Sequence, residues 1–123
     1  MKKLIGVVVM IAFFVGSGSA SATKPPIDSY CSPTGDYCQG LFRQDGVRAK
    51  LSTFSFRGTY GICVRSRSTG RDCEDFRLRR RRDGIYHGSV GLARHFDIRP
   101  HGRYAVTWTY AGSRIGKKLH FTK

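Results

Sequence analysis

Cys63 and Cys73, ten positions apart, bracket the segment that most limits what this chain can fold into. Between them Ser66 to Gly70 has the make-up of a reversing loop. Tyr60, Ile62 and Val64 before it, and Phe76 and Leu78 after it, alternate with other residues at period two. Side chains alternate across a strand, so this pattern gives each strand an apolar and a polar face. With Ser66 to Gly70 as the loop, Cys63 falls opposite Cys73 and Tyr60 opposite Phe76, which describes a disulfide-closed β-hairpin. Tyr60, Ile62, Val64, Phe76 and Leu78 then share the core side. The cysteines face outward with Arg65, Arg71 and Arg77, so the bridge is expected to be a surface staple. Arg79, Arg80, Arg81 and Arg82 follow at once. Arg79 and Arg81 extend the outer face, whereas Arg80 and Arg82 point to the core side. An unpaired guanidinium is costly to bury, so the strand is expected to end or kink near Arg80.

The first residues belong to a different kind of segment. Lys2 and Lys3 precede an apolar run from Leu4 to Val15, and the small residues Gly16 to Ala22 include Ala20 and Ala22 in an A-x-A pattern. That is the layout of a secretory signal peptide over residues 1–22. The run is short for a bilayer span, which takes about 20 apolar residues, so no integral membrane span is expected after cleavage. Cleavage after Ala22 leaves 101 of the 123 residues, which is one domain. Its four cysteines are then read as two disulfides in an exported chain. Three pairings are formally open, and the spacing favours the local bridges Cys31–Cys38 and Cys63–Cys73.

In chain order, residues 23–35 read as an extended lead-in and a disulfide loop, with Thr23 to Ser29, which contains Pro25 and Pro26, as the extended and mobile part; a β-sandwich domain occupies residues 36–123. A strand over Tyr37 to Arg43 turns at Gln44-Asp45-Gly46 into Val47, Ala49, Leu51 and Thr53, whose alternation with Arg48, Lys50 and Ser52 gives a half-buried strand with a basic face. After the central hairpin, Asp83-Gly84 marks a turn. Tyr86, Val90 and Leu92 continue an apolar pattern as far as Phe96. Tyr104, Val106, Trp108 and Tyr110 form the cleanest strand, and Ile115, Leu119 and Phe121 a last one. No segment shows helical periodicity. About seven short antiparallel strands imply an all-β protein, a single Ig-like Greek-key β-sandwich stapled by two local disulfides, with a small barrel as the alternative.

Residues 31–38 (Cys-Ser-Pro-Thr-Gly-Asp-Tyr-Cys), the Cys63 and Cys73 segments through Leu78, and Gly102 to Trp108 resemble a group of small secreted basic proteins of high-G+C Gram-positive bacteria. The resemblance implies export and an Ig-like sandwich and carries no activity with it. The Cys63-to-Phe76 segment is also similar to a hairpin of the neocarzinostatin-type chromophore-binding proteins, which implies the same topology. The N-terminal cysteine pair and the basic charge depart from that second group.

Loss of Lys2 and Lys3 lowers the net charge from +14 to +12. Such a charge draws a protein to polyanions. The expected partners are an anionic cell-envelope polymer, anionic lipid or nucleic acid, bound by Arg65, Arg71, Arg77, Arg79, Arg80, Arg81 and Arg82. The alternative role for the arginine run is to shield a strand edge. His87, His95, His101 and His120 lack the spacing of a zinc motif, and every cysteine is assigned to a bridge, so neither metal nor cofactor is expected. Glu74, the sole glutamate, falls opposite Ile62. With a histidine and an arginine it could serve a small ribonuclease-like site, or it could lie at the solvent end of the hairpin. Tyr104, Trp108, Tyr110, Phe54 and Phe56 are expected in the core, with an aromatic ligand platform as the alternative. The leading expectation is a secreted, non-enzymatic cationic binding module; the second is a secreted cationic hydrolase acting on nucleic acid.

Overall fold

A computed structural model describes residues 24–123; residues 1–22, expected from the sequence to be a signal peptide, lie outside the described residues. Nine strands and one helical turn follow in order: β1 (Asp28–Cys31), β2 (Tyr37–Arg43), β3 (Val47–Thr53), β4 (Thr59–Ser66), β5 (Gly70–Arg77), β6 (Arg79–Arg80), β7 (Tyr86–Gly91), α1 (Leu92–His95), β8 (Arg103–Tyr110) and β9 (Ser113–Thr122). They form two antiparallel sheets, β1-β2-β3-β7-β6 and β5-β4-β8-β9. Leaving β1 aside, these are the orders A-B-E-D and C′-C-F-G of an immunoglobulin-like sandwich. Tyr104, near the start of β8, donates its hydroxyl to the Pro100 carbonyl at 2.6 Å. That is the tyrosine corner that fixes the crossover between the sheets in such folds. Both disulfides are the local ones, and each joins directly opposed residues of neighbouring strands: Cys31–Cys38 across β1 and β2, Cys63–Cys73 across β4 and β5.

The core is supplied by the inward positions of both sheets. Leu41, Ala49, Leu51 and Val90 come from one sheet, and Tyr60, Ile62, Val106, Trp108 and Leu119 from the other. The period-two alternation in β3 shows as alternating burial along the whole strand. The turn after β2 needs positive φ at Asp45 and Gly46, which reach 53° and 93°, conformations those two residue types tolerate.

Several expectations are corrected. The mobile lead-in does not extend to Ser29: Asp28–Cys31 is a paired strand, and with β6 it raises the strand count from about seven to nine. It is held because the Asp28 carboxylate accepts the His120 backbone N–H at 2.9 Å. Next to it the buried Gln39 side chain accepts from the Lys117 N–H (2.8 Å) and donates to the Lys117 carbonyl (3.2 Å). These bonds lace β1 and β2 to β9 and close one flank of the sandwich. The strand of the central hairpin stops earlier than expected, at Arg77. At the buried Leu78, whose N–H is taken by the Gly58 carbonyl, the chain leaves one sheet for the other, and Arg79 and Arg80 pair with His87 and Tyr86 as β6. All four arginines of the run stay exposed, because the sheet change releases them from the inward parity of β5. Leu92 to His95 is a single helical turn rather than strand, which lets Leu92 and Phe96 both bury. Only Cys73 of its bridge is a surface residue; Cys63 is buried because β4 lies inside its sheet. Phe54 lies beyond the end of β3 and is 66% exposed rather than in the core.

Candidate anion-binding surfaces

The exposed face of the β5-β4-β8-β9 sheet is built by strand parity. Arg71 lies opposite Arg65, Arg65 opposite Ala105, and Ala105 opposite His120, so these four form one row across all four strands. Arg67 in the hairpin loop, Arg103 at the start of β8 and Lys118 on β9 surround one end of the row. With Arg65 and His120 they line an open depression of about 1010 Å³ whose walls contain no carboxylate. Like charges directly opposed in a sheet repel. The Arg71 guanidinium turns aside and lies 3.5 Å from the Cys63 sulfur. Burial pushes the His120 imidazole below its ordinary pKa. Arg103, Lys118 and Lys117 push the same way, against the opposing pull of Asp28. The neutral ring is therefore the favoured form on this surface.

The seven arginines singled out in the sequence do not form one patch. Arg65 belongs to the depression just described, with Arg71 in the same row. Arg77 and Arg79 line a separate cleft beside the Leu78 crossover. Arg80 lies opposite Tyr86 in β6, and Arg81 and Arg82 enter the turn that Asp83 and Gly84 complete, where the Arg81 N–H meets the Ile85 carbonyl. Among the described residues the one arginine in an ion pair is Arg99, held by Asp97 through two bonds of 3.0 and 3.2 Å. Arg99 holds the Asp97 carboxyl below the ordinary carboxylate range.

Arg67, Arg103 and Lys118 escape a reading that follows contiguous charge. The signal for Arg103 was its place at the head of the cleanest strand; Lys118 is recoverable only through the β8–β9 register, which shifts between Val106 and Trp108. Glu74 lies at the solvent side of the hairpin, where its Oε2 meets His95 Nδ1 at 3.0 Å. This direct contact orients the imidazole. His87 bonds Ser52 Oγ at 3.1 Å and lies 3.7 Å from Asp83. Among the described residues, no group of three or more histidine, cysteine or acidic side chains could hold a metal ion, and no helix is long and apolar enough to cross a membrane.

No family model, curated protein or solved structure matches the chain.

Proposed function

We propose that the protein is a secreted, non-enzymatic module, akin to the small basic proteins of high-G+C Gram-positive bacteria it resembles, that associates with an anionic polymer or surface through the outer face of the β5-β4-β8-β9 sheet. One observation carries the reading: Arg65, Arg67, Arg103 and Lys118 surround a single open depression whose lining includes no carboxylate. Cations gathered without internal partners are neutralised from outside, and a charged polymer does so with release of its counterions. An anionic envelope polymer, an anionic lipid surface and nucleic acid all meet this chemistry.

Heparin-affinity chromatography and binding to anionic liposomes test it. Retention is expected to fall by about two orders of magnitude in affinity between about 50 and 200 mM salt. The variant with Arg65, Arg67, Arg103 and Lys118 all changed to Gln is expected to elute much earlier and to show a shallower salt slope. Retention no better than that of a neutral sandwich of equal size, or equal retention of variant and parent, overturns the reading.

The surface also carries a pH dependence. Because the folded state disfavours protonated His120, acidification through the ordinary histidine range protonates the unfolded chain first and erodes stability. A bound polyanion supplies the missing counter-charge. Heparin affinity is therefore expected to rise as the pH falls from about 7.5 to about 5.5, and His120→Gln to narrow that rise.

The second reading, a secreted hydrolase acting on nucleic acid, is favoured by the contact between Glu74 and His95. Incubation with RNA and DNA separates the two. Intact polymer is the expected result; cleavage lost in Glu74→Gln would replace the first reading.

A further inference from the structure

We propose that the cleft beside the Leu78 crossover is a binding site for a compact phosphoryl group, distinct from the open depression at the opposite end of the central hairpin. Four arginines from four elements line it: Arg48 of β3, Arg77 of β5, Arg79 of β6 and Arg94 of α1. The fold brings them together by two devices. Leu78 is driven inward between Arg77 and Arg79, so both guanidinium stems are left at the surface on either side of the sheet change. Gly91 lies opposite Arg48 in the β3–β7 ladder and immediately precedes the helical turn that carries Arg94. A Cβ at Gly91 would stand 3.4 Å from Arg48 Nη2 and 3.9 Å from Arg94 Cδ. The bare backbone there is thus a floor flanked by both side chains.

Nothing in the cleft balances this charge. None of the four arginines has an ion-pair partner among the described residues. The lining contains no carboxylate, and Glu74, which meets the ring of the cleft residue His95 at 3.0 Å, is occupied by it. Tyr60 lines it too, and burial pushes its phenol up to about 12, so it adds no negative charge at neutral pH. The Ser89 hydroxyl accepts from Arg48 Nη1 at 3.0 Å and so keeps its own proton to donate. Guanidinium forks match the oxygens of a phosphoryl group two at a time. The cleft, of about 290 Å³, is at the small end for a ligand pocket and suits a terminal phosphate rather than a polymer backbone.

Calorimetric titration of the full mature chain tests this at about 0.15 M NaCl, which screens diffuse attraction. The probes are inorganic phosphate, a 5′-phosphorylated dinucleotide and the same dinucleotide without its terminal phosphate. Saturable binding of the first two is expected, whichever is tighter. The double variant Arg77→Gln/Arg79→Gln is expected to weaken it about tenfold or more, which is the loss of one charge-assisted hydrogen bond or greater. Gly91→Val leaves every charge in place, and its backbone (φ −78°, ψ 111°) is open to any residue. Its side chain fills the floor between Arg48 and Arg94 and is expected to weaken binding as much, while Arg65→Gln/Arg67→Gln leaves it unchanged. An unsaturable response, equal binding of the phosphate-free dinucleotide, or parental affinity in folded Gly91→Val or in Arg77→Gln/Arg79→Gln overturns the assignment.

Discussion

Reduction of the two disulfides is expected to unfold the protein at physiological temperature. Bridging residues 7 and 10 positions apart in sequence removes about 2.5 to 3 kcal/mol each from the unfolded chain's entropy advantage. Together they supply about 5 kcal/mol, as much as the entire net stability of many domains of this size. The two losses are expected to be unequal in structural consequence. Cys63–Cys73 joins an edge strand, exposed along nearly its whole length, to a strand at the centre of its sheet. Cys31–Cys38 secures β1, which Asp28 also ties to β9. Guanidinium unfolding with and without reductant, repeated on the Cys63→Ser/Cys73→Ser and Cys31→Ser/Cys38→Ser pairs, checks this. A reduced protein within about 1 kcal/mol of the oxidised one would contradict it.

Trp108→Ala is expected to cost about 3 to 5 kcal/mol, the range for emptying a large aromatic site in a packed core. Trp108 is fully buried, and its strand is paired on both sides, with β4 and with β9. The sheet is therefore poorly placed to collapse into the space. Its Nε1 is buried with no hydrogen-bond partner, and such an unpaired donor carries a penalty of about 1 to 3 kcal/mol. Trp108→Phe removes that penalty while keeping most of the ring, so it is expected to cost less than half of Trp108→Ala. Both variants lack the chain's one tryptophan, so guanidinium unfolding followed by circular dichroism, which the backbone supplies in all three proteins, measures the losses. A loss in Trp108→Phe as large as in Trp108→Ala would overturn this expectation.

The hairpin register was legible because Cys63, Cys73 and the alternating apolar residues all enforce it, and a slip of one residue would have turned every one of them to the wrong face. The strand from Tyr104 to Tyr110 was legible for the same reason. What escaped was set by partners far away in sequence. Asp28 to Cys31 contains no apolar alternation, and its strand exists because β2 and the backbone of β9 receive it. The helical turn at Leu92 is too short to leave a period. Of the candidate site, the chemistry of the arginines was visible but their grouping was not. Arg77 and Arg79 are two residues apart, yet Arg48 and Arg94 reach the same cleft from 31 positions before Arg79 and 15 after it.

The lacing of β1 and β2 to β9 by Asp28 and Gln39 settles more than how one flank is closed. It occupies two of the four outer strands of the sandwich with each other, leaving β5 and β6 as the open borders. Those borders carry Arg71, Asp72, Glu74, Asp75, Arg77, Arg79 and Arg80. Any second copy that tried to extend either sheet would have to approach through a fringe of fixed charge on a strongly cationic body. The consequence is colloidal: concentrated protein stays dispersed as a like-charged suspension does, for as long as the ionic atmosphere leaves that repulsion standing.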